Sequence, residues 1–136
     1  MSRYTPTLVA VLTPLVMSLA GYPLDRPPWE GVTEPIRLGH VRQAIRDDQL
    51  WPAPLYSEVA NHPRSVHIAR IAWLAVHWRN DGTDPPQVEA VGPYQLVVND
   101  GYHRICAAIV RTDLTVVLDV GGWLDAAEEM FGVAIP

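Results

Sequence analysis

The sequence predicts an α+β fold, a small mixed sheet with flanking helices, and three observations carry that expectation. Apolar residues make up 49% of the 136 and charged residues 18%, the composition of one globular domain with a real core rather than a disordered chain. From residue 65 onward the patterning reads helix, strand, strand, turn, helix, strand, helix. At the centre of that order an apolar strand, Tyr94-Gln95-Leu96-Val97-Val98, runs into Asp100-Gly101-Tyr102-His103-Arg104. An alanine-rich helix, Ile105-Cys106-Ala107-Ala108-Ile109-Val110, runs out of it.

Each element has its own local reason. Residues 6–20 are mostly apolar, and Thr5-Pro6 and Thr13-Pro14 look like N-cap-plus-proline helix starts. One broken or two short buried helices are expected there. The run from Leu8 to Ala20 is shorter than the ~20 residues that span a bilayer. A signal peptide cut after Ser18-Leu19-Ala20 is the competing reading, but Pro6 and Pro14 interrupt the run and only Arg3 is positive. The expectation is a folded cytoplasmic protein. Gly21 to Thr33, with Pro23, Pro27, Pro28 and Trp29, reads as a loop. Glu34 to Leu50 reads as a helix with Leu38, Val41 and Ile45 on one stripe. Residues 1–54 are thus expected as a helical extension packed on a domain of residues 55–136.

Trp51 to Pro63 is a proline-broken connection with a short strand expected at Leu55-Tyr56. Ser65 to Trp78 is the clearest helix, with Ile68, Ile71, Ala72, Ala75 and Trp78 as its core face. His67, Arg70 and His77 fall on a flanking face. His67 and Arg70, in the first turns, are expected to face the pocket, and His77 to be solvated. Ten residues of helix, ~15 Å, keep His67 and His77 from sharing a metal. Asn80-Asp81-Gly82 ends the helix. Gln87 to Val91 and Tyr94 to Asn99 form a hairpin about Gly92-Pro93. Helix 102–111, strand Leu114 to Val120 and helix Leu124 to Phe131 follow, and Gly132 stops the last.

The Asp100–Arg104 junction carries the chemistry. A strand–glycine turn–helix junction gathers free backbone N–H groups at a helix N-terminus, which suits an anion. Arg104 adds a planar fork that matches two phosphate oxygens, and His103 can donate from either ring nitrogen. Gly101, Tyr102, His103 and Arg104, with His67 and Arg70 from the preceding helix, are therefore the expected phosphate-binding residues. Asp100 is the candidate to hold Mg²⁺ or to accept a proton, and His103 is the second candidate catalytic group. An Asx-type cap on an ordinary tight turn is the competing role for Asp100. Glu58, Glu89 and His62 are further candidates, each set against a plain surface role. Arg104→Ala is expected to abolish anion binding with little loss of fold.

Composition excludes several classes. All ten basic residues are Arg. A Walker-type phosphate loop needs its Lys, and so does Schiff-base or pyridoxal chemistry. The single cysteine, Cys106, leaves no internal disulfide and no cysteine-based zinc site, and its place in an apolar helix is that of a buried, inert thiol. A net charge of −5 argues against a general nucleic-acid binder. The five Trp are read as core and loop anchors.

Motif and order together resemble the ParB/sulfiredoxin superfamily over roughly residues 55–136. Asn61-His62-Pro63-Arg64 before a helix is similar to the N-x-x-P-R segment of ParB partition proteins. Gly101-Tyr102-His103-Arg104-Ile105-Cys106-Ala107 falls on their G-E-R-R-x-x-A motif, and its His-Arg pair is similar to the G-C-H-R of sulfiredoxins. Short ParB-like proteins of bacteria, plasmids and phages carry D-G-x-H-R-x-x-A-A-I, and also a helix resembling His67-Ile68-Ala69-Arg70-Ile71-Ala72. The resemblance implies a ParB-like fold with a triphosphate pocket at 101–104, taking ATP or CTP with Mg²⁺ as an accompanying ion. Phosphoryl transfer or nucleotide hydrolysis would be the turnover.

Tyr102 stands where sulfiredoxins have the reactive Cys and ParB its motif Glu, which speaks against sulfinate reduction and against ParB-type CTP hydrolysis. The acidic charge speaks against DNA clamping. Two other readings remain open: a non-catalytic regulatory protein that meets a protein partner through its N-terminal apolar segment, and a ParB-like nuclease, which would need clustered carboxylates and a basic groove. Neither a nucleic acid nor a membrane is expected as a partner.

Overall fold

The computed structural model describes residues 4–55 and 61–135. In chain order the elements are β1 (Leu8–Leu12), α1 (Thr13–Ala20), α2 (Leu38–Arg46), α3 (Arg64–His77), β2 (Gln87–Gly92), β3 (Gln95–Asp100), α4 (Tyr102–Arg111), β4 (Thr115–Gly122) and α5 (Leu124–Phe131). Among the described residues they make an α+β fold of one four-stranded sheet, in the order β1-β4-β2-β3, and five helices. β2 and β3 are an antiparallel hairpin, β4 returns parallel to β2, and β1 lies antiparallel along the outer side of β4. No helix among the described residues is long and apolar enough to cross a membrane.

The first departure from expectation is at the N-terminus, where Leu8–Leu12 is a strand and not a helix. Leu8-Val9-Ala10-Val11-Leu12 has a period of two: Val9 and Val11 are buried, and Leu8, Ala10 and Leu12 are exposed. Two β-branched residues on the buried side favour that pleat. The Thr5-Pro6 helix start is therefore wrong. The helix begins at Thr13-Pro14, with proline in the first turn. Thr13 does not cap it; its hydroxyl donates to the Asp113 carbonyl at 2.6 Å. The expected helical extension thus supplies an edge strand to the sheet. α2 is shorter than the helix expected over 34–50, because Pro35 precedes it and Asp48 turns left-handed at φ 55 just beyond it. Leu55 lies in no strand, and Tyr56 and Glu58 lie outside the described residues.

One face of the sheet carries Val9, Val11, Val88, Ala90, Leu96, Val98, Val116, Leu118 and Val120, all buried. Ile71, Ala72 and Leu74 of α3 and the run Ile105–Val110 of α4 complete this core. In α3 the buried stripe is His67, Ile71, Leu74 and Trp78, spaced i, i+4, i+7, i+11. His67 therefore sits on the core face and not on a flank, while Ile68 and Ala75, expected inside, are only partly buried. Cys106 is fully buried, and burial pushes its thiol pKa far up, so the inert reading of that residue fits.

Asn80, expected only to end α3, has a larger part. β2 pairs with β4 at Asp119–Gly122, and among the described residues no strand lies beside Thr115–Val117 on that side. The Asn80 amide takes its place: it donates to the Thr115 carbonyl at 2.7 Å and accepts from the Val117 N–H at 2.9 Å. Its Nδ2 also reaches Asp113 at 3.1 Å. Removing it strands two half-buried backbone groups. Asn80→Ala is expected to cost roughly 2 kcal/mol in urea unfolding, and Asn80→Asp at least as much, because its carboxylate would face the Thr115 carbonyl and the Asp113 carboxylate in place of a donor.

Candidate functional site

The junction between β3 and α4 is held by Gly101, at φ 120 and ψ 20. A Cβ there would lie 2.7 Å from Pro86 Cβ and 3.1 Å from the Arg104 guanidinium, so only glycine fits. α4 begins at the next residue, and no side chain caps it. The first backbone N–H groups of an α-helix have no acceptor inside the helix, so this turn points unsatisfied donors outward. Asp100 does not cap them. Its Oδ2 faces Arg104 Nη2 at 3.4 Å, with the carboxylate otherwise exposed.

The residues of this turn line a cleft of about 420 Å³. Its walls come from the 28–30 loop, the 61–62 segment, His67 of α3, and residues 99–103. Within it, His67 Nδ1 and His103 Nε2 are hydrogen-bonded at 2.8 Å, and the two rings are coplanar to within 6°. The Trp29 indole lies flat across both, with centroids 4.5 Å from His67 and 4.3 Å from His103. His62 stands edge-on to His67 at 6.1 Å. Burial lowers the pKa of His67 to about 4, the neighbouring His62 adding to the effect and the His62 backbone opposing it. Burial first, then His67, Arg70 and Arg104, lowers His103 to about 3. Both imidazoles are neutral at pH 7, and the bond between them requires one to donate and the other to accept. Tyr102 is half-buried beside them, and its phenol is correspondingly harder to ionise.

A second cleft, about 270 Å³, adjoins the first along Leu55, Asp100, Gly101 and His103 and contains Arg70 and Arg104. Arg104 is a clamp as well as a wall. Its Nη1 donates to Asp84 Oδ1 at 2.7 Å, to the Asp84 carbonyl at 3.2 Å and to the Pro85 carbonyl at 3.1 Å. Arg70 donates to the Pro52 carbonyl at 2.8 Å and lies over the Trp73 ring at 5.1 Å. The chain was compared with protein-family models, with curated proteins and with solved structures, and nothing matches. The ParB/sulfiredoxin resemblance therefore rests on the motifs themselves.

Gly101, Tyr102, His103 and His67 are thus brought together in one cleft, and Arg70 with Arg104 in the next. The expectation that Arg104→Ala leaves the fold untouched needs revision, because this side chain ties α4 to the Asp84-Pro85 segment. Glu89 is exposed and belongs to a separate depression on the sheet with Tyr4 and Asp119. His77 is exposed and lies against Trp73 at 4.8 Å with the rings tilted by 36°, away from the clefts, as a solvated helix residue would. Arg64 of the Asn61-His62-Pro63-Arg64 segment turns to the Pro35 carbonyl and His40. Among the described residues no three His, Cys, Asp or Glu converge on a metal position, and Asp100 is paired with an arginine. A Mg²⁺ that arrives with a nucleotide takes one or two carboxylates beside the phosphates, and Asp100 would be the one at this junction.

Trp29 is the wall that sequence reasoning missed. A loop tryptophan reads as an anchor. The signal was its place directly after Pro27-Pro28, two residues that stiffen the backbone and fix where the indole lands.

Proposed function

We propose that the two adjoining clefts bind a phosphate-bearing small molecule of the nucleotide class, on a scaffold of the ParB/sulfiredoxin kind. One observation carries the reading: the clefts meet at the N-terminus of α4, so its first-turn N–H groups lie between an arginine-walled compartment and an aromatic one. A nucleotide has that division of chemistry. Its phosphates suit the helix N-terminus with Arg70 and Arg104, and its base suits the Trp29 and Tyr102 side. Together the clefts match the size of small-molecule sites. ATP and CTP are the first ligands to try. His67 and His103, neutral and sharing a hydrogen bond, would serve as N–H donor and proton acceptor in phosphoryl transfer or hydrolysis. Binding alone is the narrower form of the proposal.

The test uses the Arg104–Asp84 pair. Asp84→Asn removes the carboxylate that competes for the guanidinium while keeping the carbonyl contacts. A nucleotide whose phosphates engage Arg104 should bind this variant several-fold more tightly in calorimetry, and Arg104→Ala should bind it at least tenfold more weakly. Melting of each variant without ligand separates lost binding from lost fold. Identical affinity for ATP, CTP and pyrophosphate across wild type and both variants, or no binding at all, would end the proposal.

A further inference from the structure

We infer that the free edge of β1 pairs with β1 of a second copy of this chain, joining two four-stranded sheets about a two-fold axis at Ala10. The strand's position and its sequence lead there independently. Among the described residues β1 is an outer strand, paired on one side only with β4. The Thr7 carbonyl accepts from Val120 N–H, and Thr13 N–H donates to the Leu114 carbonyl. In an antiparallel ladder this parity turns Thr7, Val9, Val11 and Thr13 toward β4, and turns the backbone groups of Leu8 and Ala10 and the N–H of Leu12 to the open side.

Exposed edges are usually blunted by charge, proline or bulges. The opposite edge strand shows this: β3 carries Gln95, Asn99 and Asp100 and pairs irregularly with β2. Within Leu8–Leu12 there is none of these devices, and the prolines at 6 and 14 only flank the strand. Its residues are Leu-Val-Ala-Val-Leu, and no charged residue occurs between Arg3 and Asp25 in a chain of net charge −5. Approach at this edge therefore brings together the least repulsive stretches of two acidic molecules.

The five residues also read the same in both directions. An antiparallel pair centred on Ala10 sets Leu8 opposite Leu12 of the second copy, Ala10 opposite Ala10, and Val9 opposite Val11. Identical side chains face each other across the axis, as an isologous interface requires. Each Ala10 N–H meets the other Ala10 carbonyl, and each Leu12 N–H meets a Leu8 carbonyl.

The same two-fold carries the Tyr4 end of one copy to the Leu12–Leu114 end of the other. Tyr4 is 75% exposed, Leu114 74%, Leu12 52% and Leu8 44%. These four present on the order of half of the ~800 Å² per partner that a standard interface buries. The exposed Pro6, Ala10 and Pro14 and the backbone edge supply more. The area suits a reversible dimer rather than an obligate one. The Gly101 junction lies at the other edge of the sheet, so pairing leaves the clefts open and stands apart from the proposed function.

Sedimentation velocity of the whole chain from about 1 to 500 µM is expected to show a monomer–dimer equilibrium. Ala10→Lys sets two like charges opposite each other on the axis and should weaken the dimer about fivefold. Ala10→Pro removes only the outward N–H and should do the same while leaving the β4 ladder intact. Both variants should melt like wild type at the dilute end. A chain that stays monomeric up to 500 µM, or a dimer that both variants leave unchanged, overturns the inference.

Discussion

Gly101→Ala is expected to lower the unfolding free energy by about 4 kcal/mol, and with it the melting temperature by roughly 10 °C or more. Two costs combine. A φ of 120 lies in a region that residues with a Cβ occupy only under strain, at about 1–3 kcal/mol. The added methyl would also stand 2.8 Å from Pro86 Cα and 2.7 Å from its Cβ, which belong to a rigid ring and its backbone rather than to a flexible tip. Overpacking of that kind costs about 1–3 kcal/mol. Arg104 Nη2, 3.1 Å from the same point, must also move away from Asp100. The start of α4 and the arginine wall would thus shift together, so nucleotide affinity should fall along with stability. Gly92→Ala is the control: it has an ordinary backbone angle and nothing within 4 Å, and should change stability by less than about 0.5 kcal/mol. Equal small losses from both variants would mean that Gly101 is not held as described.

The sequence made this junction legible because its signals are local. A strand with period two, a glycine, and a helix of small apolar residues each follow from neighbouring residues alone, and α4 spans the expected 102–111. The N-terminus was harder for a physical reason. Thr-Pro is a sound helix start, and it occurs twice within ten residues. At Thr5 it is overridden by the vacant side of β4, a partner more than 100 residues away that local propensity does not register. The site shows the same division. His67 was assigned to the flank because histidine is polar, yet its spacing to Ile71 and Leu74 is that of a core residue. What makes burial tolerable is His103 from another helix and Trp29 from a distant loop. Arg104 lines the second cleft, and its contacts to the preceding loop were not foreseen. The phosphate reading follows from its type, whereas the contacts to Asp84 and Pro85 depend on how the preceding loop folds back.

Stability is expected to fall as the pH drops from 6.5 toward 4, by on the order of 3 kcal/mol, because of the buried imidazole pair. Both rings have their pKa lowered in the folded chain, His67 to about 4 and His103 to about 3. The unfolded chain takes up protons as pH passes the ordinary value of 6.5, while the folded chain stays neutral. The unfolded state then binds more protons, so the contribution is complete above 6.5 and is lost on acidification. The face of Trp29 would favour a cation, but burial and the guanidinium groups of Arg70 and Arg104 oppose it. Geometry sets a further limit. The two nitrogens 2.8 Å apart have room for one hydrogen between them, so the pair accepts one proton with its bond intact, and a second would set two N–H groups against each other. Urea unfolding at pH steps from 7.5 to 4.5 measures the slope, and replacing both His67 and His103 by Leu should flatten it. A wild-type slope no steeper than that of the double variant would show that the pair is not held neutral. Because the rings carry no charge near pH 7, attraction for an anion must come from the helix N–H groups and the arginines. With His62, which also lines the cleft, replaced by Gln, nucleotide affinity should therefore change between pH 6.5 and 8 by no more than the ionisation of the terminal phosphate itself requires.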